Sequence, residues 1–185
     1  MPRNLEIKVK VASLAPYRQR LARVEGCARG AVLRQADHYF HVPRGYLKLR
    51  VVRGGVSELI FYQRPKRRGT RESRYLKWPV AEPDTALGLL TAALGVETVV
   101  RKTREVFLVD GARIHLDRVA GLGTFIEIEV LIEREGRGSA GLMQRLRDHL
   151  QLPTASTPGS YRDLRRSGPG LRAQGSGTRS SGTMA

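Results

Sequence analysis

Charged and aliphatic residues alternate along many short segments of this chain, and this alternation limits the folds open to it. In residues 5–11, for example, Leu5 and Ile7 alternate with Glu6 and Lys8. A period of two is typical of a β-strand with one polar and one apolar face. The sequence predicts strands at residues 5–11, 37–42, 46–53, 58–64, 72–80, 99–109, 113–118 and 124–133.

The connections between these segments favour an antiparallel sheet. Residues 54–55 (GG), 110–111 (DG) and 121–123 (GLG) are turn sequences that join neighbouring strands as hairpins. Helices are predicted at residues 13–26, 84–94 and about 140–150. Hairpins interrupted by single helices are typical of the α+β class rather than of a doubly wound parallel sheet.

The charge of the chain points to anionic partners. It carries 33 Lys and Arg against 17 Asp and Glu, a formal net charge of +16. Five of these cations and one carboxylate follow Leu150, so most of the excess belongs to the preceding residues. Such an excess favours phosphorylated small molecules, nucleic acid or an anionic membrane. The single cysteine, Cys27, excludes an internal disulfide. The polar N-terminus and the lack of a long apolar stretch predict a cytoplasmic protein without a membrane span.

The cations concentrate on one face of the predicted strands. Side chains two positions apart on a strand share a face, and a half-solvated sheet would explain any single strand. The pattern extends over six strands, however, and a sheet that closes on itself would place these charges together in a lumen. Like charges packed in a lumen are costly unless a bound anion and a metal ion compensate them. The candidate phosphate ligands are Lys8, Lys48, Arg50, Arg64, Lys102 and Arg104, with Arg113 as a weaker candidate.

The carboxylates suggest a metal site. Glu127 and Glu129 lie two positions apart on one predicted strand, so their side chains share a face about 7 Å apart. Mg²⁺ is commonly held by one or two carboxylates together with substrate phosphates. Such a pair is also common as a surface salt-bridge strip, but its apolar neighbours favour a partly enclosed strand. Asp117 is predicted to help hold the metal, and Glu6 to ligate it or to orient an attacking water. His115 is interpreted as a bystander more readily than as a ligand.

Several short motifs follow one another from the first strand to about residue 164. They are residues 4–8 (NLEIK), 37–40 (DHYF), 47–50 (LKLR), 102–104 (KTR), 115–129 (HLDRVAGLGTFIEIE) and 160–164 (SYRDL). In this order they resemble the superfamily that joins class IV adenylate cyclases to thiamine triphosphatases, often called the CYTH or triphosphate tunnel metalloenzyme superfamily.

The resemblance implies an eight-stranded antiparallel β-barrel that forms a tunnel, with flanking helices, over residues 1–164. Basic side chains would grip a triphosphate there, and acidic ones would hold Mg²⁺ or Mn²⁺. Glu6 and Lys8 match the N-terminal signature of the family and are the implied catalytic pair. Asn4 departs from it, since a glutamate is expected at that position. Residues 165–185 are mostly Gly, Ser, Arg and Thr and are expected to form a disordered tail.

The expected function is a metal-dependent enzyme that hydrolyses a small-molecule triphosphate: tripolyphosphate, thiamine triphosphate or a nucleoside triphosphate. The same pocket could instead serve a cyclase that directs the ribose 3′-hydroxyl of ATP at the α-phosphate. Asn4 suggests a third possibility, a non-catalytic polyphosphate binder, and the net charge alone suggests a nucleic-acid-binding protein. No basic strand is interleaved with aromatic residues, which argues against nucleic acid as the partner.

Overall fold

The computed structural model describes residues 1–65, 68–132 and 138–166. The strands in this part of the chain are β1 (Arg3–Val11), β2 (Ala28–Phe40), β3 (Tyr46–Val52), β4 (Ser57–Gln63), β5 (Arg71–Val80), β6 (Val96–Val109), β7 (Ala112–Val119) and β8 (Gly123–Leu131). The helices are α1 (Ala15–Leu21), α2 (Pro83–Leu94), α3 (Ser139–Leu150) and α4 (Tyr161–Arg166). None of the helices in the described residues is long and apolar enough to cross a bilayer.

The strands close into a single barrel. Their order around it is β1-β5-β4-β3-β2-β6-β7-β8, and every neighbouring pair is antiparallel. The N-terminal strand completes the circle, because β1 pairs with β5 on one side and with β8 on the other. The structure thus confirms the predicted eight-stranded antiparallel β-barrel with flanking helices.

The largest apolar core lies outside the barrel wall. The outward-facing side chains of β1, β7 and β8 include Ile7, Ile114 and Ile128, each fully buried. Helices α1 and α3 cover them with Leu21 and Leu150, among others. Full burial of one such side chain stabilises the fold by about 1.5–3 kcal/mol. With aliphatic residues committed to this outer layer, the alternating charged residues face the lumen.

Two predicted boundaries differ from the structure by five residues or more. The first helix ends at Leu21 rather than at residue 26, because the backbone N–H groups of Arg23 and Val24 bond three residues back and form turns. Strand β2 begins at Ala28, nine residues before the predicted strand. Its first half pairs with β6 across a register shift between Arg29 and Val32, and this irregularity interrupts the two-residue period.

The segment after α3 closes one end of the barrel. The backbone N–H of Thr157 donates to the carbonyl of Lys8 at 2.7 Å, and Arg71 donates to the carbonyl oxygens of Thr157 and Gly159. The Tyr161 hydroxyl then donates to Asp117 at 2.7 Å inside the barrel. Tyr161 is the first residue of helix α4, which includes Arg165 and Arg166, two residues beyond the predicted domain end. The rest of the predicted tail, residues 167–185, lies outside the described residues.

These contacts predict the effect of shortening the chain. Truncation after Pro158 removes Tyr161, which is buried, and should lower the free energy of unfolding by about 3 kcal/mol or more. Truncation after Arg166 should leave the melting temperature and activity nearly unchanged, because residues 167–185 contain one leucine and one methionine. Thermal unfolding of both shortened proteins tests this. An equal decrease in melting temperature for both shortened proteins, or no decrease in either, would contradict this prediction.

Candidate active site

The barrel encloses a cavity of about 410 Å³ to which all eight strands contribute side chains. That volume falls within the range of roughly 300–1,000 Å³ typical of small-molecule sites. Most of the residues predicted to bind phosphate or metal line it: Glu6, Lys8, Lys48, Arg50, Arg64, Lys102, Arg104, Arg113, Glu127 and Glu129. Asp117 does not line this cavity.

One group of cations surrounds Asp37, which is fully buried on β2. Its carboxylate accepts hydrogen bonds from Lys102 Nζ at 2.6 Å, Lys48 Nζ at 3.1 Å and Arg50 Nε at 2.7 Å. Burial alone would raise the pKa of Asp37, but Arg50, Lys102 and Lys48 together hold it well below its usual value. One carboxylate therefore meets three cationic side chains, so this part of the wall can accept further negative charge.

A second group is organised around Arg104. Its guanidinium donates two bonds to Asp117, at 2.7 and 2.6 Å, and a third to Glu127 Oε2 at 2.6 Å. Lys8 Nζ donates to Glu127 Oε1 at 2.7 Å and lies 4.1 Å from the centre of the Tyr161 ring. Since Asp117 also accepts from Tyr161, its carboxylate is engaged by Arg104 and the closing segment. Unlike Glu127, Asp117 does not line the cavity, and it is therefore not among the metal ligands proposed below.

Glu6 lies on β1 between two arginines. Arg71 Nε donates to Glu6 Oε1 at 2.8 Å, and Arg64 forms a second ion pair with the same oxygen. All three side chains are buried. Glu6 is thus held in place by charge-assisted hydrogen bonds, which are roughly twice as strong as neutral ones. This arrangement suits an orienting role better than that of an open metal ligand.

The acidic group that could hold a cation consists of His115, Glu127 and Glu129. Their ligand atoms lie within 4.8 Å of one another. His115 Nδ1 is buried and has no hydrogen-bond partner among the described residues, and it lies 3.8 Å from a Glu127 oxygen and 3.9 Å from a Glu129 oxygen. Burial and the charge of Arg104 lower the pKa of His115, which favours the neutral imidazole that metals bind. The donor set therefore fits a divalent cation.

Arg113 stands apart from the other cations. Its side chain is 41% exposed, and its closest carboxylate contact is Glu129 at 3.6 Å. Exposed ion pairs of this kind contribute about 0–1 kcal/mol. The structure thus places Arg113 at the open rim of the cavity, in keeping with its weaker standing among the predicted phosphate ligands.

The structure shows two functional candidates that the sequence analysis did not select. In the sequence analysis Asp37 was noted only as part of a motif. The predicted strand began at Asp37, so the residues that precede it on the same inward face of β2 were not recognised as part of the strand. His115 was interpreted as a bystander because its carboxylate partners are on β8, where Glu127 is its register partner. Its buried nitrogen, which has no partner in the described part of the chain, is the observation that changes this interpretation.

The charge of Lys102 predicts a pH dependence. Burial lowers the pKa of Lys102 to about 8, although Asp37 counteracts it. Binding of tripolyphosphate should therefore weaken as the pH rises through 8, since the lysine loses its proton, and binding near pH 9 should be accompanied by proton uptake. Titration calorimetry in buffers of different ionisation enthalpy measures both. Lys48 contributes to the same effect, because burial and the charge of Arg50 lower its pKa well below the usual value. The Lys102→Arg variant stays charged and should therefore weaken the pH dependence without abolishing it, so identical pH profiles for the two proteins would contradict the prediction.

A closed antiparallel barrel with buried cations and a histidine–carboxylate group in its lumen defines a class of protein built to bind a polyanion inside the barrel. The chain belongs to the CYTH family, because the CYTH domain matches residues 2–161. No curated protein matches the sequence.

Solved structures with the same fold come from several organisms. The PH1012 protein of Pyrococcus horikoshii is 22% identical with a TM-score of 0.76, over 87% of this chain and 98% of that one. A candidate adenylate cyclase of Vibrio parahaemolyticus is 18% identical with a TM-score of 0.74, over 89% and 98%. HpAC1 of Hippeastrum, described as having a dominant triphosphatase activity, is 15% identical with a TM-score of 0.66, over 90% and 96%. At these identities the likeness shows the fold alone.

Proposed function

We propose that this protein is a metal-dependent triphosphatase whose cavity binds the triphosphate chain. The observation that carries the proposal is the pairing of two features in one lumen: cations in excess around Asp37, and the His115, Glu127 and Glu129 group beside Arg104. Phosphoryl transfer depends mainly on positioning and charge stabilisation, which such a lumen supplies. The dominant triphosphatase activity described for HpAC1 agrees with it.

The roles of the side chains follow from their contacts. Lys48, Arg50 and Lys102 would bind the non-bridging oxygens of the chain, because each already donates to a carboxylate and all three line the cavity. Lys8 and Arg104 would do so beside the metal ligands. A divalent ion such as Mg²⁺ or Mn²⁺, held by His115, Glu127 and Glu129, would neutralise charge on the phosphates.

Glu6 is the proposed positioning residue for water. Arg64 and Arg71 fix its carboxylate, which can then accept a hydrogen bond from a water aimed at the terminal phosphorus. As the water oxygen bonds to that phosphorus, the bond to the bridging oxygen breaks and a diphosphate leaves. The proton released by the water passes to Glu6 or to solvent.

A phosphate-release assay tests the proposal. The purified protein is incubated with Mg²⁺ or Mn²⁺ and, separately, tripolyphosphate, thiamine triphosphate, ATP or GTP, and the products of ATP are separated by chromatography. Metal-dependent release of phosphate from at least one of these is the expected result. Cyclic AMP with pyrophosphate would identify a cyclase instead, and no turnover of any substrate with either metal would overturn the enzymatic proposal.

His115 predicts which metal works better. Mg²⁺ prefers oxygen ligands, whereas transition-metal ions accept an imidazole nitrogen, so Mn²⁺ should support activity at lower concentrations than Mg²⁺. His115→Ala should raise the Mn²⁺ concentration needed for half-maximal activity by at least ~10-fold. His38, which does not line the cavity, provides the control variant His38→Ala. An unchanged Mn²⁺ requirement in His115→Ala would exclude the imidazole as a ligand.

A further inference from the structure

Six large apolar side chains form a continuous surface on the outside of the barrel, where β3, β4 and β5 lie side by side. They are register partners in two rows across these strands: Leu47, Phe61 and Leu76 in one row, and Leu49, Leu59 and Trp78 in the other. The residues that alternate with them line the cavity, whereas these six do not. The surface is therefore on the opposite side of the barrel wall from the cations and carboxylates of the lumen.

This surface is covered at one end and open at the other. Helix α2 packs against β2 and β3, and Leu49 on β3 is fully buried. On β4, Leu59 and Phe61 are only half-buried, and on β5 Leu76 is 52% and Trp78 73% exposed. We call the four residues on β4 and β5 the outer strip. Contiguous apolar patches on the surface of a soluble protein mark interaction sites, so the outer strip is a surface that a partner would cover.

The charges near the outer strip distinguish between a membrane and a protein as the partner. The chain has a net charge of +16, but residues 76–95, which include α2, contain only one cation, Lys77, and it lines the cavity. The same segment has two exposed carboxylates, Glu82 and Asp84. Surfaces that bind anionic lipid carry clusters of lysine and arginine. The local charge therefore disfavours a membrane, whereas two copies of this chain can bring their outer strips together without opposing their cations.

The order of residues on the outer face of β5 is complementary to itself. Arg74 is followed on this face by Leu76, Trp78 and Val80, and Glu82 comes directly after the strand. Both charged residues are exposed. A two-fold axis near Trp78 would set two copies of β5 antiparallel, with Arg74 of each copy opposite Glu82 of the other and apolar residues between them. Two-fold symmetry requires such a self-complementary surface.

We propose that this chain forms a two-fold symmetric dimer in which the outer strips of two copies pack against each other. A large aromatic side chain buries about 150–250 Å², so two strips with their polar rims reach the roughly 1,000 Å² expected of a specific interface. None of the strip residues lines the cavity. The inference is therefore independent of the proposed enzymatic function.

Analytical ultracentrifugation over a concentration series tests the dimer. The full chain should sediment with twice its mass of 20.6 kDa and dissociate on dilution. Leu76→Glu places a charge in the strip and should weaken the dimer by at least ~30-fold, the effect of losing a central contact residue. The matched control is Leu108→Glu, at a leucine on β6 that is 46% exposed and outside the strip, and it should leave the dimer unchanged.

Both substitutions are at exposed positions, so the melting temperature of the dilute, monomeric proteins should match that of the unmodified chain. This measurement separates a weakened dimer from a folding defect. A monomer at every concentration, or equal effects of the two substitutions, would overturn the proposal.

The fluorescence of Trp78 reports on the strip directly, because it is the single tryptophan of the chain. As the concentration rises, its emission should shift to shorter wavelength and become protected from acrylamide. A dimer in which Trp78 stays accessible to acrylamide would have its interface elsewhere, which contradicts the inference. A shift produced by phosphatidylserine vesicles but not by higher protein concentration would identify a membrane-binding surface instead.

A charge exchange tests the two-fold arrangement. Arg74→Glu would place like charges opposite each other at both symmetric contacts and should weaken the dimer by about 10-fold. Combining Arg74→Glu with Glu82→Arg reverses the pair and should restore the affinity. Failure of the combined variant to recover would exclude this arrangement. Hydrolysis of a triphosphate by a protein that is monomeric at every concentration would overturn the dimer and leave the enzymatic proposal intact.

Discussion

Replacing Glu127 and Glu129 together by glutamine should reduce metal-dependent turnover by at least ~10³-fold while the barrel stays folded. Glutamine keeps the shape of the side chains but removes the two charges that would attract a divalent ion, and loss of one electrostatic group at a reacting centre typically costs about 10²–10³-fold. Glu127 also accepts hydrogen bonds from Lys8 and Arg104, so those cations lose an anchor in the same variant. Steady-state phosphate release with Mn²⁺ measures the change.

The matched control is Glu25→Gln with Glu82→Gln, because both residues are exposed and the two changes remove the same charge from the surface. This control should retain normal turnover. Calorimetric titration with Mn²⁺ distinguishes a lost metal site from a general defect. Unchanged turnover in Glu127→Gln with Glu129→Gln, or full activity of the unmodified protein in EDTA, would exclude the proposed metal site.

Asp37→Asn should be the most destabilising single change in the lumen. It leaves Lys48, Arg50 and Lys102 buried without their common carboxylate, and breaking such a group by removing one partner costs about 3–5 kcal/mol. For a chain of this length, that loss lowers the melting temperature by roughly 6–20 °C. Added tripolyphosphate should restore much of it, since a bound polyanion supplies the missing negative charge. Thermal unfolding with and without the anion measures both effects.

The control for Asp37→Asn is Asp110→Asn, at an exposed turn where asparagine tolerates the same positive φ. It should unfold at the temperature of the unmodified protein. A melting temperature for Asp37→Asn within a few degrees of normal, or a loss that tripolyphosphate does not reverse, would show that the cations do not depend on this carboxylate and do not bind the anion.

Alternation alone was sufficient to predict the barrel strands. Wherever one face of a strand is packed against α1 or α3, as at Ile7 and Ile114, the sequence has to alternate, and every predicted strand is present in the barrel. The failures occur where that constraint is absent. The first half of β2 is largely exposed and contains a register shift, so residues 28–36 show no regular period.

Side-chain partners in the lumen could be predicted only in part, because register decides them. The sequence predicts that the lysines and arginines of β1, β3 and β6 share one face of their strands. Nothing in it indicates that Lys48, Arg50 and Lys102 all contact Asp37. Likewise, His115 faces Glu127 only because β7 and β8 pair without an offset at that point. A shift of one residue would turn its imidazole outward. Contacts of this kind, between residues far apart in the sequence, are determined by how the strands pair in the closed barrel.

The position of β1 in the barrel has a consequence for synthesis. Lys8 and Glu127 are 119 positions apart, yet they belong to strands that lie side by side. At a translation rate of roughly 5–20 residues per second, the first strand leaves the ribosome about 6–24 s before its partner exists. During that interval β1 has an unpaired edge, and the alternating lysines at Lys8 and Lys10 are the kind of charge that discourages association with other chains. Lys8, which lines the lumen of the finished barrel, thus also helps to keep the nascent strand from associating with other chains before β8 is synthesised.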